Sequence, residues 1–367
     1  MRIGLDLRML GGGSGISRYV SELSHEILRQ DKVNIYVLFF ESGDQAAAYK
    51  DYGHKIVLTG VKHYSLAEQL KLPRILYREE LDLVHFPHFN VPVFYRRPFI
   101  VTIHDLIHTK FPGRKKSHIF HRLAYNLVVR NAIMSARKII AVSESTKKEI
   151  REYFSISEAK IIVVYEGANE IYRMIDKDAA AALVRKKFEV KKPYILYVGV
   201  WRRYKNLPRL AWAFDKLRQQ GVEVELVLAG EEDPFYPEIR KQISDIRNQE
   251  SVKVLGRVSD EDLKNLYNGA SLFVLPSLSE GFGLTALEAA ACGVPVACSD
   301  IPTLREVMGQ GAEYFDPVNL TNMAEVIKNI LENPKRQEEL ANLALARTKH
   351  FSWTNAAKET IVVYQMI

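Results

Sequence analysis

The sequence predicts an α/β protein of two doubly wound parallel-sheet domains in tandem. Short apolar runs alternate with helix-patterned segments along the chain, the pattern of parallel strands joined by crossover helices. A polar stretch rich in Ala and Lys, residues 171–191, interrupts the series, which then starts again. At 367 residues the chain is long enough for two such domains. Ligands of such sheets gather at the carboxyl ends of the strands, so two units in tandem predict a cleft between facing strand ends.

Met1–Leu7 reads as the first strand, followed by Gly11-Gly12-Gly13-Ser14-Gly15 and an amphipathic helix from Ser17 to Leu28. Four glycines exceed what a tight turn needs, and strand, glycine loop and helix make an oxyanion-binding unit. Gly12, Gly13, Ser14 and Gly15 are therefore candidates for a phosphate or acceptor loop. The acidic ribose-binding residue of a dinucleotide fingerprint is missing. Strands follow at Lys32–Phe40 and Lys55–Leu58, a helix at Leu66–Glu80, and strands at Asp82–Phe86 and Phe99–Ile103. Lys138–Val142 is a strand, Ser143 begins a helix through Tyr153, and Ile161–Val164 closes the first unit. His85, His88, His104 and Asp105 fall at strand ends, which makes them candidates for the acceptor side. With His108 these histidines could suggest zinc, but they lack a His-x-x-x-His helix and thiol partners, so no metal is expected. His104 suits hydrogen bonding to a sugar, with Asp105 holding its imidazole or the acceptor.

Residues 171–191 read as a linker helix. Tyr194–Val198 is a strand, followed by the loop Gly199–Asn206 and a helix to Gln219. Glu223–Ala229 is a strand ending at Gly230, Pro237–Asn248 a helix, and Val252–Leu255 a strand ending at Gly256-Arg257. Asp260–Asn268 is a helix and Ala270–Leu275 a buried strand. Segments at Pro295–Ser299, Leu304–Met308 and Glu313–Phe315 lead to a helix at Leu320–Glu332 and the last helices, Pro334–Ile367.

The strand Ala270–Leu275 runs into Pro276-Ser277-Leu278-Ser279-Glu280-Gly281-Phe282-Gly283-Leu284-Thr285-Ala286-Leu287-Glu288-Ala289. This is a strand, a glycine-containing turn and a helix start, which offers free N–H groups and a positive dipole end to an anion. Glu280 in the turn and Glu288 on the helix can accept hydrogen bonds from sugar hydroxyls. Phosphate flanked by hydroxyl groups describes a nucleotide-sugar. Arg202, Arg203 and Lys205 lie on the same carboxyl edge, where cations would stabilise a departing diphosphate.

Charge is unevenly placed. Residues 1–170 carry 25 Lys+Arg against 18 Asp+Glu, whereas the remainder carries 26 of each, so the net +7 belongs to the first half. Lys110–Lys138 contains Lys110, Arg114, Lys115, Lys116, Arg122, Arg130, Arg137 and Lys138 with no acidic residue, and apolar residues interleave. It reads either as an interfacial basic helix facing anionic lipid or as a packed helix with a basic outer face. No nucleic-acid module accompanies the charge, so nucleic acid is not an expected partner. No apolar stretch suits a membrane span or a signal peptide, and Cys292 and Cys298 suit free thiols in a reducing cytoplasm. The expected location is cytoplasmic, and peripheral at the inner membrane face if the basic segment binds lipid.

The Glu280-to-Glu288 block resembles the signature of glycosyltransferase family 4, two glutamates separated by seven residues. Ile195–Gly199, Lys205-Asn206 and Val227–Gly230 resemble its donor domain, while Val101–Leu106, Ile139–Ser145 and Lys160–Val164 resemble its bacterial branch, which includes mannosyltransferases of surface polysaccharides. The resemblance implies the GT-B fold, a nucleotide-sugar donor, retention at the anomeric carbon and no cofactor or metal. It divides the chain into an acceptor-side domain (1–170), a donor domain (171–350) and a helix crossing back (351–367). It gives catalytic roles to Glu280, His104 and Lys205. Donor binding falls to Arg202, Arg203, Lys205, Gly230, Arg257, Glu280, Phe282, Gly283, Leu284, Thr285 and Glu288. GDP-mannose is the favoured donor, with UDP-sugars as the alternative, and the acceptor is a glycan or lipid-linked hydroxyl. The expected chemistry is attack on the face the diphosphate leaves, with a phosphate oxygen taking the proton; a double displacement through Glu280 is the alternative. An epimerase, a sugar phosphorylase or a non-catalytic binding subunit on the same fold are the competing readings. Two departures stand out: Val200 replaces an arginine common in the family, for which Arg202 or Arg203 is the expected substitute by position, and Glu166-Gly167-Ala168-Asn169 replaces the usual Asn-Gly-Val-Asp turn.

Overall fold

The computed structural model describes residues 1–12, 15–111, 119–191 and 193–367. The chain forms two compact units, Met1–Glu166 together with Ser352–Ile367, and Gly167–Phe351.

The first unit holds a seven-stranded sheet of β1 (Arg2–Asp6), β2 (Ile35–Phe40), β3 (Lys55–Leu58), β4 (Leu83–Phe86), β5 (Phe99–Ile103), β6 (Lys138–Ala141) and β7 (Ile161–Val163), in the order β3-β2-β1-β4-β5-β6-β7. Every pairing is parallel. Sheets of this kind are covered on both faces, which explains continuous apolar runs such as Tyr36-Val37-Leu38-Phe39-Phe40 in place of alternation. Helix α1 (Gly15–Gln30) buries Tyr19, Val20, Leu23, Ile27 and Leu28 at helical spacing. Just after β1, the buried Arg8 donates to Asp6 (2.7 Å) and Glu68 (2.9 Å), fixing the strand end to the segment of Glu68. Helix α2 (Ile119–Ser135) carries part of the basic segment; Arg114, Lys115 and Lys116 lie outside the described residues. The last helix belongs to this unit and buries Trp353, Ala357 and Tyr364.

The second unit holds β8 (Tyr194–Val198), β9 (Glu225–Ala229), β10 (Val252–Gly256), β11 (Leu272–Leu275), β12 (Val296–Ser299) and β13 (Glu313–Phe315), in the order β10-β9-β8-β11-β12-β13 and again parallel. The chain fills one side of β8 and then crosses to β11 on the other side. The β8 and β11 loops therefore flank a switch point, where such sheets open a crevice for ligands.

Local expectations need three corrections. The expected helix Leu66–Glu80 is two helices, Leu66–Leu70 and Leu72–Arg78, because Pro73 has no N–H to continue the ladder. The expected strand from Lys32 begins at Ile35, because the Asp31 carboxylate accepts from the N–H groups of Val33 and Asn34 and turns the chain. The expected linker contains the helix Lys177–Phe188, which is part of the second unit: Ala180 and Val184 are buried, and Lys187 pairs with Asp262 at 2.6 Å.

At the ends of β8 and β9 two backbones touch. A Cβ on Gly230, whose φ is +135°, would stand 2.1 Å from the Gly199 carbonyl oxygen. Gly230→Ala is expected to lower stability by about 3 kcal/mol or more, read as an earlier urea midpoint at unchanged slope; an unchanged midpoint would show that the contact can relax.

Candidate active site

In the second unit, the loop after β8 meets the loop after β11. Leu278 N–H donates to the Tyr204 carbonyl at 2.7 Å. Asn206 is in the left-handed region (φ 58°) and donates its side-chain amide to the carbonyls of Pro276 (3.0 Å) and Pro317 (2.7 Å). The Thr303 hydroxyl donates to the Glu280 carbonyl at 2.9 Å. These bonds hold two otherwise irregular loops as one surface. On it, the Lys205 ammonium donates to Glu280 at 2.7 Å, with side-chain exposures of 15% and 9%. Burial works to lower the Lys205 pKa, but the Glu280 charge prevails and raises it, so the lysine is fixed as a cation.

Gly283 caps the helix α3 (Leu284–Ala291) with a φ of +99° and no side-chain cap. The N–H groups of Leu284 and Thr285 have no hydrogen-bond partner among the described residues. Phe282 is buried edge-on against Phe351, centroids 5.5 Å apart. Glu288 is buried on α3 and accepts from the Tyr267 hydroxyl at 3.0 Å.

The other expected cations are held by carboxylates. Arg202 donates to Asp233 at 3.0 Å, Arg203 to Glu238 at 2.9 Å, and Arg257 lies 3.6 Å from Glu231. Neither Arg202 nor Arg203 pairs with Glu280, so the substitution for the arginine absent at Val200 finds no support: Asp233 and Glu238 hold both side chains. Gly230 contributes its close backbone approach.

In the first unit, His104 follows β5. Its Nε2 lies 2.9 Å from the Pro87 carbonyl and its Nδ1 3.1 Å from Glu166, so both ring nitrogens face acceptors, a setting that favours the imidazolium charge. Burial opposes that charge, but Glu166 and the Pro87 carbonyl outweigh it and raise the pKa. Tyr19 lies edge-on to His104 with centroids 4.5 Å apart, and its hydroxyl bonds to Thr102 at 3.0 Å. Asp105 accepts from the Ile107 N–H at 2.9 Å, turning the chain after the strand in place of holding the imidazole. His88 is buried and bonds Asn90 at 3.0 Å.

His85, named as an acceptor-side candidate, is enclosed in the sheet. It is 2% exposed, with Nδ1 on Tyr364 (2.8 Å) and Nε2 on Thr102 (2.9 Å), and burial lowers its pKa to about 3. It is a neutral residue tying the last helix to the sheet. In the glycine loop, Gly11 and Gly12 are exposed, Gly15 opens α1, and Gly13 and Ser14 lie outside the described residues. Among the described residues no group of three or more His, Cys, Asp or Glu is placed to hold a metal ion.

Sequence reasoning missed Glu166, Tyr267 and Thr303. Glu166 had a signal, since it opens the altered turn Glu166-Gly167-Ala168-Asn169, but its partner lies 62 positions earlier.

The family described as Glycosyltransferase Family 4 matches residues 13–170, and the one described as Glycosyl transferases group 1 matches residues 181–347. The chain is 31% identical over 294 residues to O-antigen chain mannosyltransferase B of Escherichia coli, covering 78% of this chain and 74% of that protein. It is 31% identical over 226 residues to the serotype-specific mannosyltransferase WbdA of Escherichia coli, which is 60% of this chain and 28% of that protein. The fold superposes on the crystal structure of Anabaena HepE in complex with UDP and glucose, with a TM-score of 0.80, 17% identity and full coverage of both chains. The two parallel sheets are the GT-B fold, and the chain belongs to the glycosyltransferases, its first part to Glycosyltransferase Family 4 and its second to Glycosyl transferases group 1.

Proposed function

We propose that the chain is a retaining hexosyltransferase that moves mannose from GDP-mannose to a hydroxyl of a glycan or lipid-linked acceptor in surface polysaccharide synthesis. The observation that carries this reading is the Lys205–Glu280 pair on the same loop surface as the helix start whose Leu284 and Thr285 N–H groups are unpaired. Lys205 and those N–H groups receive the diphosphate, which gains charge as the sugar bond breaks, so they favour the transition state over the substrate. Glu280 orients Lys205 and accepts from donor-sugar hydroxyls. Glu288, fixed by Tyr267, accepts from the ribose hydroxyls. The acceptor hydroxyl attacks on the face the diphosphate leaves and passes its proton to a phosphate oxygen. His104, held charged by Glu166, donates toward the transferred sugar when its Pro87 bond opens. Mannose is preferred because the relative 31% identical over 294 residues is named an O-antigen mannosyltransferase. UDP, bound in the HepE structure, marks the alternative base. Lys205 supplies the cation, so no metal is assigned to the reaction.

Lys205→Met and Glu280→Gln are each expected to lower kcat/KM for GDP-mannose by about 100-fold or more with the fold retained. If either leaves transfer unchanged, the assignment fails. Chelation with EDTA is expected to leave the rate unchanged, and proton spectra of the product should show the anomeric configuration of the donor.

The raised pKa of His104 sets a pH dependence. Its ion pair contributes stability fully below the unfolded value of about 6.5 and loses that contribution as pH rises through the folded value. Glu166→Gln should therefore move the alkaline limb of the kcat/KM profile to lower pH; an unmoved limb would detach His104 from the rate.

Peripheral membrane association is part of the proposal. Helix α2 exposes Leu123 (59%) and Leu127 (58%) beside Arg122 and Arg130, a pattern suited to an anionic interface. Among the described residues no helix is long and apolar enough to cross a membrane. Leu123→Ser/Leu127→Ser should abolish low-salt flotation with phosphatidylglycerol vesicles, and wild-type protein that fails to float would remove the idea.

A further inference from the structure

A second cationic feature lies in the first unit, away from His104. A cavity of about 540 Å³ opens among Arg96, Arg97 and Arg137, with Lys160, Tyr95 and Met134 also lining it. It adjoins the amino ends of β5 and β6, whereas His104 follows the carboxyl end of β5. No Asp or Glu lines it, and Arg96, Arg97 and Arg137 have no ion pair among the described residues. The carboxylate-held arginines of the second unit, Arg202, Arg203 and Arg257, show the contrast.

Bonds around the cavity fix the backbone that carries these residues. The Arg97 guanidinium stands 5.3 Å from the centre of the Tyr77 ring. The Arg96 backbone N–H donates to the Tyr77 hydroxyl at 2.9 Å, and the Arg137 backbone N–H to the Phe99 carbonyl at 2.8 Å. Lys160 donates to the Met134 carbonyl at 2.7 Å, which satisfies one of the last carbonyls of α2 and places positive charge against its negative end. Tyr95 is 0% exposed, and its hydroxyl has no hydrogen-bond partner among the described residues. Buried hydroxyls are normally paired, so this one is a donor without a protein acceptor. Three unpaired guanidinium forks and a spare hydroxyl donor match the oxygens of a phosphate group.

We propose that this cavity binds a phosphate group through Arg96, Arg97 and Arg137, with the Tyr95 hydroxyl as an additional donor. The phosphate can come from a lipid headgroup or from a soluble phosphate ester. The lipid source has geometric support: Leu123, Leu127 and Met134 fall on one side of α2 by helical spacing, all are exposed, and Met134 lines the cavity. An acyl chain lying along that stripe would end at the cations.

The test uses the full chain carrying Lys205→Met, so that the cation of the second unit does not bind the probe. Inorganic pyrophosphate is titrated calorimetrically without metal. Binding is expected, with affinity falling about tenfold or more in Arg96→Ser/Arg137→Ser. Tyr95→Phe should weaken binding about fivefold. Its thermal midpoint should be unchanged or higher, because no bond within the protein is lost. Flotation with phosphatidylcholine vesicles, with and without phosphatidic acid, separates the sources. Loss of phosphatidic-acid-dependent flotation in the double arginine variant supports a lipid headgroup. Unaltered flotation with lost pyrophosphate binding supports a soluble phosphate. The proposal is overturned if the parent binds neither probe, or if the parent and the double arginine variant bind both equally. Because Lys205 is already replaced, failure here leaves the donor-site reading untouched.

Discussion

The second unit is organised around one buried charge pair. Lys205 and Glu280 come from loops 75 positions apart, and their ion pair requires those loops to arrive together. Asn206 makes this possible from a left-handed backbone, clamping onto the carbonyls of Pro276 and Pro317. A pair this enclosed does little for net stability, because desolvation offsets much of the Coulomb attraction. Its value is that a cation stands in a fixed place, near-dry, before any ligand arrives. Preplaced charge does not have to reorganise as the reaction proceeds, which is the physical basis for assigning it to a departing diphosphate.

The first unit solves a related problem with histidines. His85 is buried and His104 largely so, both near the carboxyl side of the sheet, yet their environments divide them. His85 meets two hydroxyl groups, from Tyr364 and Thr102, and burial keeps it neutral. His104 meets a carboxylate and a carbonyl, which raise its pKa. Thr102 and Tyr19 link the two, and Tyr364 joins the network to the last helix. One histidine is held by hydroxyl groups and the other by a carboxylate and a carbonyl, although both occupy the same kind of strand end.

Much of this was legible from residue patterns. Parallel strands announce themselves as apolar runs, so the strands near Tyr194, Glu225 and Leu272 and the glycine turns after them could be placed. Glu280, Glu288 and Lys205 were picked out by residue type and by resemblance to glycosyltransferase family 4. Pairing was harder to see. Arg202, Arg203 and Lys205 look equivalent in sequence, and only folded geometry gives the first two to Asp233 and Glu238 and the third to Glu280. Glu166 and Tyr267 escaped for the same reason, since their partners are distant in the chain. The partners of His85 and His104 were hidden too, because strand-end position does not reveal what each ring nitrogen meets.

The central claim is that the Lys205 ammonium, oriented by Glu280, receives the donor diphosphate. The most direct measurement follows the side-chain ammonium signals of ¹⁵N-lysine-labelled protein during titration with GDP-mannose, with Lys205 assigned through Lys205→Arg. The account predicts a saturable shift of the Lys205 signal, larger than that of any other lysine and absent with mannose alone. A Lys205 signal that stays fixed while the sugar nucleotide binds would contradict it.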